Sequence, residues 1–167
     1  MADYPSHTHD WNCIFCKIID GTISTPGMFR EDEQFMAFLS IYPSVEGFTV
    51  VIPKSHYGSD CLQLPDDILQ QFIIVTKKIS QILLNHFDDV GRVWLIMEGT
   101  GIDHAHIKLI PMHNTAHMKD WIRKQYLSNR EDYFAHYPWY LISTDWPKGN
   151  ESELRVLAEN LRNIKMS

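Results

Sequence analysis

Polar and apolar residues alternate along 103–111: His104, His106 and Lys108 fall on one set, Ala105, Ile107 and Leu109 on the other. A period of two predicts a strand with two imidazoles and an ammonium on one face and a core-facing row on the other. Pro111 fits only its end, because it has no ladder N–H. Further strands are predicted over 28–31, 35–41, 48–53 and 92–97. In 35–41 apolar residues occupy both sets, so both faces are expected to be covered. Glu98-Gly99-Thr100-Gly101 turns the chain from the 92–97 strand into the histidine strand, which predicts an antiparallel hairpin. Ile68, Phe72, Val75, Ile79, Ile82 and Leu83 recur at spacings of three and four. They predict a helix over about 65–86, lying across the sheet and opened by Pro65, Asp66 and Asp67. Asn150, with Glu153 at the capping-box position, opens a last helix whose apolar stripe is Leu154, Leu157, Ala158 and Leu161. Another helix is expected over about 116–127. The aromatics of 133–146 (Tyr133, Phe134, Tyr137, Trp139, Tyr140 and Trp146) read as core or subunit-interface packing, with a base-stacking platform as the competing role.

The 167 residues make one domain, or one domain with an extension, and 44% hydrophobic residues decide against disorder. A formal charge of −6 argues against a broad nucleic-acid-binding surface while leaving room for a local phosphate pocket. Residues 1–10 are polar, read as a loose tail, and carry no apolar stretch of the export type. No segment has the length of a membrane span, so neither export nor insertion is expected. Three cysteines, an odd number, do not form a disulfide framework, and a reducing cytoplasm is the expected location.

The histidine strand changes the picture most. Imidazole is a competent nucleophile toward phosphorus and a common metal ligand near neutral pH, although a solvated strand face with two incidental histidines would show the same pattern. Cys13 and Cys16 form a Cys-x-x-Cys pair. Alone this offers two ligands where a structural zinc takes four.

Three ordered segments resemble the histidine triad (HIT) family. Residues 104–111 are similar to its His-x-His-x-His signature with two apolar residues and a proline. Residues 13–21 resemble its amino-terminal segment, and 47–56 its central strand and following loop. The likeness covers roughly 11–115 and leaves 116–167 as a helical, aromatic-rich extension expected to pack on the same domain. It implies an α+β fold, an antiparallel sheet flanked by helices, and a homodimer formed through that sheet. It also implies cleavage of a nucleotide at its α-phosphorus, by a hydrolase or nucleotidyl transferase that passes through a covalent nucleotidyl-histidine. His106 matches the attacking histidine. A neutral imidazole needs no deprotonation before attack and leaves well afterwards.

Lys108 stands where the third histidine would be, and a lysine there could clamp phosphate oxygens as a point charge. Ser40 replaces the acidic residue that binds ribose hydroxyls in many relatives. Met97 stands in place of an asparagine, and Thr100 is the candidate phosphate contact in a short loop. In zinc-containing relatives two cysteines join two histidines. The matching positions are Cys13, Cys16, His56 and His104, which implies a closed, structural zinc site; a reduced cysteine pair with a surface histidine is the alternative. Two other functional readings remain: a nucleotide-binding HIT-fold module without turnover, and a nucleic-acid end-processing enzyme, which the acidic balance weakens.

Overall fold

The computed structural model describes residues 12–116 and 149–164. The tail 1–10, most of the expected 116–127 helix and the aromatic stretch 133–146 therefore lie outside the described residues.

Five strands form an antiparallel sheet. They are β1 (Met28–Glu31), β2 (Phe35–Leu39), β3 (Thr49–Pro53), β4 (Val93–Ile96) and β5 (Ile107–Pro111), in the spatial order β1-β2-β3-β5-β4. Among the described residues three α-helices accompany the sheet: α1 (Ile14–Ile19), α2 (Asp66–His86) and α3 (Glu151–Arg162). The architecture is the α+β fold of an antiparallel sheet with flanking helices. Each predicted strand is present, β2 stopping at Leu39, and β4 pairs with β5 as the hairpin pattern requires.

Alternation along the central strands explains the layers. Phe35, Ala37, Leu39, Val51, Ile107 and Leu109 face α2 and α3, where they meet Phe72, Ile79, Ile82 and Leu83, and Leu154, Leu157, Ala158 and Leu161. Met36, Phe38, Val50 and Ile52 face the other way and bury Cys13 and Phe15. All five residues of β2 are buried because a layer covers each face. Asn150 caps α3 as predicted, its side chain accepting from the backbone N–H groups of Ser152 and Glu153.

Two features depart from expectation. The histidine strand enters the ladder only at Ile107, not at His104. Ahead of it the backbone N–H of His104 donates to Ile102 and that of Ala105 to Tyr57, so local and loop partners replace the ladder. The side-chain alternation nevertheless persists, since Ala105 joins Ile107 and Leu109 in the helix-facing core. The second feature is α1, six residues whose N-cap is Cys13; it is too short to announce itself through periodicity.

Candidate active site and metal centre

The sheet face covered by α1 carries the chemistry. Cys13 at the N-cap of α1 and Cys16 one turn later share a side of the helix, which aims both sulfurs at the chain between β3 and β5. His56 follows β3, and His104 precedes β5 with no exposed surface. Cys13 Sγ lies 3.4 Å from His104 Nδ1, and Cys16 Sγ lies 3.3 Å from His56 Nδ1 and 3.7 Å from His104 Nδ1. All four donor atoms fall within 4.8 Å of one another.

A tetrahedral zinc with Zn–S of about 2.3 Å and Zn–N of about 2.0–2.1 Å would place its donors roughly 3.3–3.8 Å apart. The three sulfur–nitrogen separations of 3.3, 3.4 and 3.7 Å match that spacing. His104 also has its outer nitrogen engaged, Nε2–H donating to the Pro53 carbonyl at 2.9 Å, so the lone pair is left on Nδ1, toward the sulfurs. The four residues thus fit a Cys₂His₂ site in donor type, the three sulfur–nitrogen contacts fit it in spacing, and His104 fits it in tautomer.

His106 is held differently. Its Nδ1–H donates to the His104 carbonyl at 2.8 Å, which leaves the Nε2 lone pair available. The ring is 3% exposed, and the edge of Phe15 packs against both His104 and His106 with ring centroids 5.7 Å apart in each case. Burial pulls the His106 imidazole below its usual pKa, and the Lys108 charge adds to this. The backbone bond to His104 and the Glu98 charge oppose the shift without cancelling it. A neutral ring is the form a nucleophile needs.

His106 opens onto a cavity of about 380 Å³ that Lys108, Thr100 and Ser40 also line. Its apolar walls come from Ile14, Phe15 and Ile18 of α1, Phe38 of β2 and Val50 of β3. The Ser40 hydroxyl accepts from the Tyr42 backbone N–H at 3.1 Å. Thr25 lines the same cavity, and its Oγ1 is buried without a hydrogen-bond partner. The structure therefore brings His106, Lys108, Thr100 and Ser40 to one cavity and the four sulfur and nitrogen ligands to one adjacent cluster.

Sequence reasoning missed Glu98, read only as a turn residue. Its carboxylate pairs with the Lys108 ammonium, and its side chain is 8% exposed. The signal was available in the register. Ile96 faces Lys108 at the end of the β4–β5 ladder, so the turn that follows Ile96 starts beside Lys108, and Glu98 is the acidic residue in it. Gly99 at φ 65° and Gly101 at φ 86° then supply the left-handed backbone that returns the chain toward His104.

The fold and the site define a histidine triad architecture. A family model for the HIT domain matches residues 25–115, and the chain belongs to that family. An uncharacterized HIT-like protein of Methanocaldococcus jannaschii is 40% identical over 106 residues, covering 59% of this chain and 78% of that one. Adenosine 5′-monophosphoramidase of Candida albicans is 33% identical over 113 residues, 63% of this chain and 73% of that one. Among solved structures, a zinc-bound histidine triad family protein of Mycobacterium smegmatis superposes with a TM-score of 0.63 at 20% identity. The superposition spans 92% of this chain and 95% of that one, a likeness of fold. No helix among the described residues is long and apolar enough to cross a membrane.

Proposed function

We propose that the chain is a HIT hydrolase or nucleotidyl transferase that cleaves a nucleotide at its α-phosphorus through a covalent nucleotidyl-His106. The observation that carries this reading is the His106 ring itself: buried, with Nδ1–H committed to a backbone carbonyl, in the wall of a cavity that Lys108 also lines. In the first step the Nε2 lone pair attacks phosphorus, a P–N bond forms, and the bond to the leaving group breaks with its electron pair. The oxygen of water or another acceptor then bonds to phosphorus and gives up its proton to solvent, and the P–N bond breaks with its electron pair returning to Nε2, which restores the neutral imidazole. Lys108 and Thr100 bind phosphate oxygens, and Ser40 contributes a hydroxyl where a nucleoside would lie. The unpartnered Thr25 hydroxyl supports a polar ligand in the same cavity.

Cys13, Cys16, His56 and His104 would hold a zinc ion whose role is structural, tying α1 to the segment that carries His106. A zinc-bound relative of the same fold supports this choice of metal. We place a homodimer contact along β4, an edge strand that exposes Trp94 and Leu95. Residues 11–115 form the HIT-like domain, and α3 of the extension beyond it packs on that domain, in a cytoplasmic protein.

Turnover of a panel of nucleoside phosphoramidates, dinucleoside polyphosphates and nucleotide sugars tests the proposal. Robust cleavage of any of them removes the alternative of a binding module without turnover. Binding without cleavage across the whole panel would favour that alternative.

A further inference from the structure

Glu98 has no part in the reading above, yet it is the residue closest to completing the site. It lies two residues beyond β4, and its carboxylate is paired with the ammonium of Lys108, the residue that faces Ile96 at the end of the β4–β5 ladder. His106 and Lys108 line the same cavity, so the ion pair brings the Glu98 carboxylate beside the group that accompanies His106. Lys108 lines the cavity, whereas Glu98 is not among the residues that do. The pair thus has its lysine in the cavity wall and its carboxylate outside that lining.

We infer that Glu98 is a positioning and specificity-determining residue: it holds the Lys108 ammonium on the His106 face and cancels its net charge there, selecting a singly charged reacting phosphate over a polyphosphate tail. The inference rests on the proposed function of the cavity. A bare buried lysine would attract every phosphate of a substrate, with a reach that grows as the dielectric falls. A neutral, oriented pair acts as a dipole. Its field is strong beside the ammonium and fades faster with distance than that of a single charge, so it favours the phosphate next to His106 and gives little to more distant ones. Each added negative charge also meets the carboxylate. The same pairing restrains a flexible four-carbon side chain, which fixes where the phosphate oxygens must sit.

The test compares wild type with Glu98→Gln, which removes the charge and keeps the shape, and with Glu98→Asp, which keeps the charge. For each, kcat and KM are measured with adenosine 5′-phosphoramidate and with diadenosine tetraphosphate, alongside Kd for AMP and for ATP. Zinc content and circular dichroism report the fold. In Glu98→Gln the KM for the tetraphosphate should fall by about tenfold relative to that for the phosphoramidate, and ATP should gain on AMP by a similar factor. Its kcat for the phosphoramidate should fall as the ammonium loses its restraint. Glu98→Asp should recover the wild-type ratios. An equal effect on both substrates in Glu98→Gln, or a wild type that prefers the tetraphosphate, overturns the inference.

If wild type cleaves neither compound, the proposed function fails by itself, and the AMP-to-ATP binding ratio still decides the role of Glu98. If Glu98→Gln does not fold, the salt dependence of the wild type decides. A neutral pair predicts less than about twofold change in phosphoramidate KM between roughly 50 and 500 mM salt, whereas a lone cation predicts a steep rise.

Discussion

The backbone carbonyl of His104 accepts the Nδ1–H of His106 at 2.8 Å, so the ring proposed to attack phosphorus is anchored on the residue proposed to bind zinc. His104 is itself fixed at both ring nitrogens, by the Pro53 carbonyl and by the cysteine cluster. Disturbing the metal ligands should therefore reach the reactive ring through one residue, without touching the cavity directly.

The first prediction follows from that anchoring. Protein purified without chelator should contain about one zinc per chain by elemental analysis. Cys16→Ala should lose the metal, unfold at lower temperature and turn over more slowly, whereas His106→Ala should keep its zinc. Metal-free native protein with unchanged thermal stability would remove the zinc assignment.

Most of the frame was legible from residue pattern. The strands, α2 and the cap of α3 follow from periodicity and end signals, because each buries an apolar row against a layer. What escaped was local hydrogen bonding. Nothing in the alternation of 104–109 reveals that His104 and Ala105 take partners at Ile102 and Tyr57 and so delay the ladder to Ile107. The grouping of Cys13, Cys16, His56 and His104 was legible through family likeness, since residues 91 positions apart in sequence meet at 3.4 Å only through tertiary structure. Glu98 was hidden by its place in a turn motif, although the hairpin starts that turn beside Lys108.

A second prediction concerns α3. Leu161 is fully buried in the core that joins α3 to α2 and the sheet. Leu161→Ala should lower unfolding free energy by about 2–5 kcal/mol, read from denaturant midpoints at unchanged slope. A loss within about 0.5 kcal/mol would mean that α3 does not pack there in solution.

The third prediction is a pH window for a clasp at the end of β5. The Asp89 carboxylate accepts from His113 Nδ1–H at 3.1 Å and from the Asn114 backbone N–H at 2.9 Å, while His113 Nε2–H donates to the Glu46 carbonyl at 3.0 Å. Burial by itself lowers the His113 pKa, but the Glu46 carbonyl and Asp89 outweigh it and leave the imidazole above its usual value. The Asn114 N–H, followed by His113, holds Asp89 below the usual carboxylate range. A raised histidine stabilises fully below its unfolded pKa of about 6.5, and that contribution is lost as pH rises through the folded value. A depressed aspartate stabilises above its unfolded pKa of about 3.9, and that contribution is lost as pH falls through the folded value. The clasp should be strongest between those limits, so the Tm deficit of His113→Asn against wild type should be larger near pH 6 than near pH 8.5. An equal deficit at both would assign His113 a packing role alone.

A fourth prediction addresses assembly. Trp94 and Leu95, 54% and 45% exposed, sit next to each other on β4 and so point to opposite faces of that edge strand. Sedimentation should show a dimer for wild type, and Trp94→Asp with Leu95→Lys should shift it to monomer at about micromolar concentration. A wild type that stays monomeric at high concentration would exclude the contact.

The last prediction concerns His106, on which the catalytic reading depends. His104 has Nε2 donated to Pro53 and Nδ1 facing two thiols, so neither nitrogen is placed to meet a phosphate. His106 has its Nδ1 committed and lines the cavity beside Lys108, which leaves Nε2 as the attacking atom. Attack by that nitrogen makes a phosphoramidate, labile to acid and stable to alkali, whereas an acyl phosphate on a carboxylate would be lost in alkali. Turnover quenched at high pH and digested should therefore yield a nucleotide mass on the peptide that contains His106. His106→Ala should abolish both the adduct and turnover while keeping zinc and fold, because the His104 bond to Pro53 and its approach to the two cysteines do not run through the His106 side chain. An adduct mapped to any other residue, or an alanine variant with near wild-type turnover, would assign the nucleophile elsewhere.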